Sequence, residues 1–451
     1  MSYNEIINLI FLIISSITGI LTIHFIIFAI IGLFAKKKYP KTDTKLKYGI
    51  IISARNEDKV IGNLIKSIQK NDYPQDKLQI FVVAHNCTDN TAKIARENGA
   101  EVFEYNNENE KTKGYALKYL FEQINNKYKN SFDGFIFLDA DNILTENYIS
   151  KLNDAFVYYN KERVITSYRN SKNFGTNVIS ALYGLLFIKN CRFECRGRTV
   201  CGCSTRVQGT GFLVNSKSLE NGWKYVTLTE DWEFSADQIL QGNKIAYCDE
   251  AMFYDEQPTT VKVMLRQRLR WCRGHWLVFL AKGKELFLSL FKSKKKTKHK
   301  FSAYDILINI LPMGLIAFVL FILQIILLAF TPIFSTLYLE IWKNFIINFL
   351  TGLATSFAYE AIYAFIVFLS ETKRIKGVDF GKKLGAILLW PIFNILSVPL
   401  TIIAVFKKVE WKTIPHTDTT NFEKLDKMQN GENNLTDNAN IYDEENPVPS
   451  K

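Results

Sequence analysis

Apolar and polar positions along this chain fall into three regimes. Residues 7–34 form an apolar run without Lys, Arg, Asp or Glu. At about 1.5 Å per helical residue the run can cross a hydrocarbon core of roughly 30 Å with some tilt. From Tyr48 the pattern changes to short apolar runs alternating with runs of helical period, which predicts strands over 48–53, 78–83, 100–105 and 134–138. The intervening segments 60–70, 90–98, 112–125 and 146–159 read as helices. Strict alternation of strand and helix implies right-handed βαβ units, a mostly parallel sheet and a ligand at the carboxyl ends of the strands. Past Thr260 the chain is basic and amphipathic to Lys300, and then apolar over 306–330, 345–370 and 384–406.

This division predicts an anchor over 1–40, an α/β domain over 45–257, interfacial amphipathic helices over 258–302, a transmembrane region over 303–408, and a final segment over 409–451. Lysines 36, 37, 38 and 41 follow the first run and none precedes it, so the positive-inside rule puts the N-terminus outside and the α/β domain in the cytosol. The run is too long for a cleaved signal and is read as a signal anchor. His24 within it reads as an interhelical hydrogen-bonder. Charge bias conflicts at the far end, because Lys373, Arg374, Lys376, Lys382 and Lys383 precede the third apolar segment while Lys407, Lys408 and Lys412 follow it. With Pro391, Asn394 and Pro399 inside, that segment reads either as a re-entrant hairpin, the preferred reading, or as a span that leaves the tail outside despite its lysines. Glu360 in a span reads as bundle-facing, lining a polar conduit or paired with a neighbour. After His416 the composition is that of a disordered tail.

Composition refines this picture only a little. The net charge of +12 and 48% hydrophobic content are explained first by membrane-flanking lysines and second by an anionic ligand such as a nucleotide. Nucleic acid is not expected, for no recognised module is present. Four of the seven cysteines cluster as Cys191, Cys195, Cys201 and Cys203. A cytosolic setting keeps them reduced, and their spacing matches no standard zinc knuckle, so structural roles are expected.

The unusual polar residues stand where a ligand is expected. Ser53-Ala54-Arg55-Asn56-Glu57 follows the first strand, His85-Asn86-Cys87-Thr88-Asp89 the second, and Asp139-Ala140-Asp141 the fourth. Two carboxylates one residue apart at a strand end can hold a hard divalent cation that bridges two phosphates; alone, they are equally a turn with a helix cap. Lys113-Gly114 opens a helix, where amides and a lysine meet an anion. Thr229-Glu230-Asp231-Trp232-Glu233 follows the glycine-bearing Gln208-Gly209-Thr210-Gly211, and Asp231 suits a base that deprotonates an attacking hydroxyl. Gln267-Arg268-Leu269-Arg270-Trp271 packs groups that grip phosphate oxygens and the apolar face of a pyranose.

In this order the motifs resemble the membrane-embedded family-2 glycosyltransferases, which include cellulose, chitin, hyaluronan and poly-N-acetylglucosamine synthases. Asp139-x-Asp141 is similar to the metal motif, Thr229-Glu230-Asp231 to the catalytic-base motif, and Gln267-x-x-Arg270-Trp271 to the acceptor-site motif. The resemblance implies a GT-A fold, a UDP-sugar donor, Mg2+ or Mn2+, and inversion to a β-linkage. It implies that Ser53, Arg55, Glu57, His85, Lys113, Gly114 and Asp139 surround the nucleotide, and that Asp139 and Asp141 hold the metal. Asp231, with Glu230 beside it, implies the catalytic pair, and Gln267, Arg268, Arg270 and Trp271 would hold diphosphate and acceptor. Trp411 and Thr413 of Trp411-Lys412-Thr413 resemble a gating segment. One departure concerns the base, where the family's uracil-contacting aspartate is replaced by Ala84 and His85.

The expected protein is an α/β, GT-A, processive inverting polymerase of the plasma membrane. Its catalytic domain is cytosolic, its acceptor is a polysaccharide or lipid-linked sugar, and a partner subunit or oligomer completes the export conduit. The alternatives are a transferase adding one sugar to a lipid, and a nucleotide-sensing membrane protein without chemistry.

Overall fold

A computed structural model of the chain describes residues 3–292, 297–376, 378–414 and 416–430. A long helix, α1 (Tyr3–Phe34), leads into β1 (Tyr48–Ala54), α2 (Ile61–Gln69), β2 (Leu78–His85), α3 (Thr91–Glu97), β3 (Glu101–Tyr105), α4 (Lys113–Lys127) and β4 (Gly134–Asp139). These match the predicted elements to within a few residues. There follow β5 (Ile143–Leu144), α5 (Tyr148–Tyr158), β6 (Arg163–Ser171), α6 (Val178–Lys189), α7 (Arg196–Val200), β7 (Phe212–Asn215), α8 (Glu230–Gln241) and β8 (Lys244–Asp255). One eight-stranded sheet results, in the order β3-β2-β1-β4-β7-β6-β8-β5. Pairs β1–β2, β1–β4, β2–β3 and β6–β8 are parallel, whereas β7 is antiparallel to both β4 and β6. This is the mostly parallel α/β arrangement that the resemblance implies.

Both faces of the sheet are covered, which is why its central strands read as continuous apolar runs. Ile50, Ile52, Ile136 and Leu138 point to a core closed by α2 and α5. Their neighbours Ile51, Phe135 and Phe137 point to the opposite core, closed by Leu117, Leu120, Phe121 and Ile124 of α4. Strand side chains alternate between faces, so each strand serves two cores at once.

Beyond the sheet come α9 (Val261–Ser289), α10 (Thr297–Ile310), α11 (Met313–Ala329), α12 (Thr331–Phe334), α13 (Tyr338–Ser370), α14 (Phe380–Ile395), α15 (Ser397–Phe406) and α16 (Phe422–Asn430). Among the described residues three helices are long and apolar enough to cross a membrane: Glu5–Phe34, Tyr338–Ser370 and Phe380–Phe406. A fourth candidate is the pair Thr297–Ile310 and Met313–Ala329, bent by 61°. The span predicted over 306–330 is thus broken at Leu311-Pro312, because proline lacks the amide that would continue the helix.

The re-entrant hairpin expected over 384–406 is not what the structure has. Pro391 lies inside α14, and α14 and α15 run on as one helix of 27 residues. Its start is tied to the α/β domain by Lys382 Nζ, which donates to the Gly175 carbonyl at 2.6 Å. Its end is tied to α9 by Arg273, which donates to the Ala404 and Val405 carbonyls at 2.9 and 3.1 Å. Glu360 is paired, accepting from Trp390 Nε1 at 2.9 Å and Asn394 Nδ2 at 2.7 Å, so it clamps α13 to α14.

The first helix is fixed to the rest by close approach and by charge. A Cβ on Gly197 would overlap the Phe28 carbonyl, and one on Gly32 would overlap the Arg192 carbonyl, so only glycine permits this crossing. Nearby His24 Nε2 lies 3.0 Å from Asp305 Oδ1, the interhelical bond expected of it, and Arg198 holds both carboxylate oxygens of Asp305 at 2.6 and 2.8 Å. All three residues are buried. Removing one partner of a buried pair leaves the other uncompensated. Asp305→Ala is therefore expected to cost about 3–5 kcal/mol, read as a lowered unfolding temperature in detergent; an unchanged transition would contradict the role given to this cluster.

Candidate active site

The carboxyl ends of β1, β2 and β4 open into a cavity of 680 Å³. Ser53, Arg55, Glu57, His85, Lys113, Asp139, Asp141, Glu230, Asp231, Gln267, Arg268, Arg270, Trp271, Trp411 and Thr413 all line it. One site thus gathers residues as far apart in the chain as Ser53 and Thr413.

At the end of the cavity formed by the loops after β1 and β2, Asn56 and Asn86 take left-handed conformations (φ 56 and 51), which asparagine tolerates better than other side chains. They turn the loops after β1 and β2 toward each other, and Thr88 N donates to Asn56 Oδ1 at 2.8 Å. His85 Nε2 lies 2.7 Å from the Glu110 carbonyl. A carbonyl only accepts, so the proton is on Nε2 and Nδ1 is left as an acceptor. Burial lowers the pKa of this imidazole, which favours the neutral form.

The centre of the site is a cluster of opposed charges. Lys113 Nζ pairs with Asp139 and donates to the Gly209 carbonyl at 2.9 Å. Burial opposes its charge, but Asp139, Glu230 and Asp231 outweigh that and raise its pKa. Glu230 and Asp231 stand in the first turn of α8, whose N-terminal dipole suits carboxylates. Burial and the neighbouring Asp231 push Glu230 up to about 7, against the pull of Lys113 and Arg270. Burial likewise raises Asp231, again opposed by Lys113 and Arg270. α9 closes on this turn through Gly274, where any Cβ would overlap the Thr229 side chain.

Asp139 and Asp141 offer two hard oxygen donors of the kind Mg2+ and Mn2+ take. Asp139 keeps 35% of its side chain exposed despite its lysine partner. Burial opposes ionisation of Asp141, but the charges of His416, Lys172 and Arg169 and the Glu256 amide hold its carboxyl below the ordinary range. Among the described residues no three His, Cys, Asp or Glu side chains gather into a metal site. The pair therefore fits an ion that draws further ligands from a phosphate-bearing substrate.

Two sequence assignments change. Gly114 is absent from the cavity wall; a Cβ there would overlap the Tyr225 carbonyl, so it serves the packing of α4. The Arg268 guanidinium donates to the Phe393 carbonyl and the Ser397 hydroxyl and lies 3.9 Å over the Phe393 ring, so it braces α9 against α14 and α15. Arg270, two residues on, faces Glu230, Asp231 and Asp139 instead.

The segment after α15 crosses the mouth of the cavity. Arg55 lies 4.9 Å over the Trp411 ring, and Arg266 donates to the Thr413 carbonyl at 3.0 Å. His416 Nδ1 meets the Glu57 carboxylate at 2.8 and 2.9 Å. Burial opposes its charge, but Asp141, Glu57 and Glu256 raise its pKa to about 10, which favours the charged ring, while burial raises Glu57 itself to about 7. Thr417 N and Asp418 N each donate to Glu256 at 3.0 Å, and Leu425 of α16 packs with Ile143 and Tyr254. Residues 416–425 are thus fastened to the domain where a disordered tail is expected, and 431–451 lie outside the described residues. His416 was not singled out as a site residue in the sequence, nor were the wall residues Arg169, Phe187, Arg206 and His275. A usable signal existed for His416 alone, in its closeness to Trp411-Lys412-Thr413.

The chain matches the glycosyltransferase-like family 2 over residues 46–274. A probable glycosyltransferase of Bacillus subtilis, YdaM, is 27% identical over 268 residues, covering 55% of this chain and 59% of that protein. A poly-beta-1,6-N-acetyl-D-glucosamine synthase of Staphylococcus aureus is 24% identical over 253 residues, covering 55% of this chain and 57% of that one. Less than two thirds of either relative is spanned. A mannosyltransferase of Pyrobaculum calidifontis, PcManGT, solved with GDP-Man and Mn2+, shares the fold with TM-score 0.51 and 14% identity, over 87% of this chain and 99% of that one.

The packing at Gly274 gives a direct check on the geometry. Gly274→Val would force α9 away from Thr229 and the acidic turn, and overpacking of this kind costs about 1–3 kcal/mol. Thermal unfolding should register that loss; a variant as stable as the parent would show that α9 is not seated as described.

Proposed function

Because the chain belongs to the glycosyltransferase-like family 2, whose match covers residues 46–274, we propose that it is an inverting β-glycosyltransferase that extends a polysaccharide from a UDP-sugar at a membrane. The observation that carries this reading is the continuity of the cavity. Asp139, Asp231, Arg270 and Trp271 share it with Leu311, Pro312 and Gly314 at the helix break and with Ser397 and Thr401 of α15. A donor site, a base and a path into the apolar helices thus form a single space.

In this mechanism the uridine lies beside Ser53, Arg55 and His85, whose Nδ1 accepts from an imide N–H in place of a carboxylate. Lys113 and Arg270 stand over the diphosphate and balance its charge, together with the carboxylates that already surround them. Mg2+ or Mn2+, held by Asp139 and Asp141, would neutralise charge on the leaving UDP. The acceptor sugar rests on the Trp271 indole. Asp231 takes the proton from its attacking hydroxyl as the oxygen bonds to the anomeric carbon from the side opposite UDP, giving inversion. The catalytic domain faces the cytosol and the polymer leaves through the helical region, completed by a second copy or a partner.

A second reading is favoured by the break at Leu311-Pro312, which brings the cavity to apolar helices: transfer of one sugar to a lipid-linked acceptor. Both readings are tested by UDP release from the detergent-purified full chain with Mn2+ or Mg2+ and a panel of UDP-sugars beginning with UDP-N-acetylglucosamine. Asp231→Asn should lower release by roughly a thousandfold, the scale of losing a general base with its electrostatics. Long products support the polymerase, single adducts the lipid reading, and full activity in Asp231→Asn would remove the mechanism.

The pH profile carries a sign of its own. Asp231 works only when ionised, and burial raises its pKa, so protonation as pH falls should abolish transfer. The acid limb should lie above the ordinary aspartate value of about 3.9. A limb at or below that value would contradict the buried environment assigned to this carboxylate.

A further inference from the structure

The cysteine-bearing stretch that matched no signature in the sequence lies on the wall of the site. Cys191 and Cys195 belong to a π-helical turn, Asn190–Cys195, and such turns recur at functional sites. One face of the turn, carrying Asn190 and Glu194, lines the cavity. The other carries both thiols, fully buried. There the two sulfurs share a partner: Gln208 Nε2 donates to Cys191 Sγ at 3.6 Å and to Cys195 Sγ at 3.7 Å. Burial pushes the Cys191 thiol up to about 12, so it stays protonated. Its S–H is directed to the Ser167 carbonyl at 4.0 Å, leaving sulfur lone pairs for the amide.

The rest of Gln208 is fixed relative to the reaction centre. Arg169 donates to its carbonyl at 3.0 Å and lies 3.5 Å over the Phe187 ring, which in turn meets Trp271 edge-on at 6.2 Å. A Cβ on the next residue, Gly209, would stand 3.7 Å from Asp231 Oδ2. Gln208 is thus linked through Gly209 to Asp231, the base of the proposed mechanism, and through Arg169 and Phe187 to Trp271. Gln208 lines the cavity and is 8% exposed, and its Oε1 is buried without a hydrogen-bond partner. A buried carbonyl left unpaired is costly, and a ligand hydroxyl in the cavity would relieve it.

We propose that Gln208 Oε1 accepts a hydrogen bond from a hydroxyl of the acceptor sugar, and that Cys191 and Cys195 are positioning residues that hold the amide in that orientation. The assignment rests on the transferase reading above. Asp231 deprotonates one hydroxyl while Gln208 grips another, so the pair sets which hydroxyl attacks.

The test uses the full chain in detergent with β-linked glucose and N-acetylglucosamine tetrasaccharides as acceptors. Acceptor KM is measured by UDP release, and acceptor and UDP binding are measured by calorimetry. Gln208→Ala and the double variant Cys191→Ala/Cys195→Ala should each raise acceptor KM about tenfold, the scale of one lost hydrogen bond, with kcat and UDP affinity moving less. The pair Cys191→Ser/Cys195→Ser should restore KM, because hydroxyl oxygens also accept from the amide. A purely structural role for the thiols would lower stability and leave KM in place, which overturns the positioning claim; an unchanged KM in Gln208→Ala overturns the whole. If the parent releases no UDP, the binding arm decides. Weaker tetrasaccharide binding in Gln208→Ala keeps the assignment while the transferase reading fails, and no tetrasaccharide binding by the parent overturns both.

Discussion

The site depends on one electrostatic constraint: Glu230 is buried with the half-buried Asp231 beside it, and two cations must stand close enough to tolerate them. Lys113 arrives from the start of α4 and Arg270 from the middle of α9, and both feel Asp139 as well. Removing either cation would leave buried like charges facing each other, which favours protonation over ionisation. The fold supplies the cations by two close approaches. Gly114 lets α4 reach Tyr225 and Gly274 lets α9 reach Thr229. The raised carboxylate pKa values and the cationic surround are thus the same piece of packing.

The same economy explains how far the sequence could be read. Strands β1, β2 and β4 are buried on both faces and announce themselves as apolar runs. β6, Arg-Val-Ile-Thr-Ser-Tyr-Arg-Asn-Ser, does not, because Ser167 bonds the Gly211 carbonyl, Arg169 pairs with Asp255, and the register shifts at Ser167/Tyr168. The motif residues Asp139, Asp231, Arg270 and Trp271 were legible from order and chemistry. Arg268 also lines the cavity, but its guanidinium is tied to α14 and α15; on a helix, residues two apart face different directions, so a motif that names neighbours does not say how each of two arginines is partnered. Gly114 was assigned to an anion because a helix start invites one, whereas here the glycine is needed for backbone approach.

The strap after α15 was the least legible part. Its composition is that of a disordered segment, and it is held by scattered bonds from Glu57, Lys172 and Glu256 that have no local periodicity. The membrane-facing half shows a related limit. Length and apolarity identified the helices, but the 61° break at Leu311-Pro312 and the two-ended attachment of Phe380–Phe406 are tertiary facts. The break brings the start of α11 to the cavity wall, and Arg273 holds the end of α15 against α9.

The central claim is that one carboxylate, Asp231, acts from the face opposite the leaving nucleotide. The anomeric configuration of the first glycosidic bond formed from a UDP-α-sugar, read by proton NMR from the anomeric coupling of the product, tests this directly. The account predicts a β-linkage, with the large coupling of a diaxial arrangement for a gluco-configured sugar. An α-linked product would mean retention, and would contradict both the role of Asp231 and the single-displacement geometry built around it.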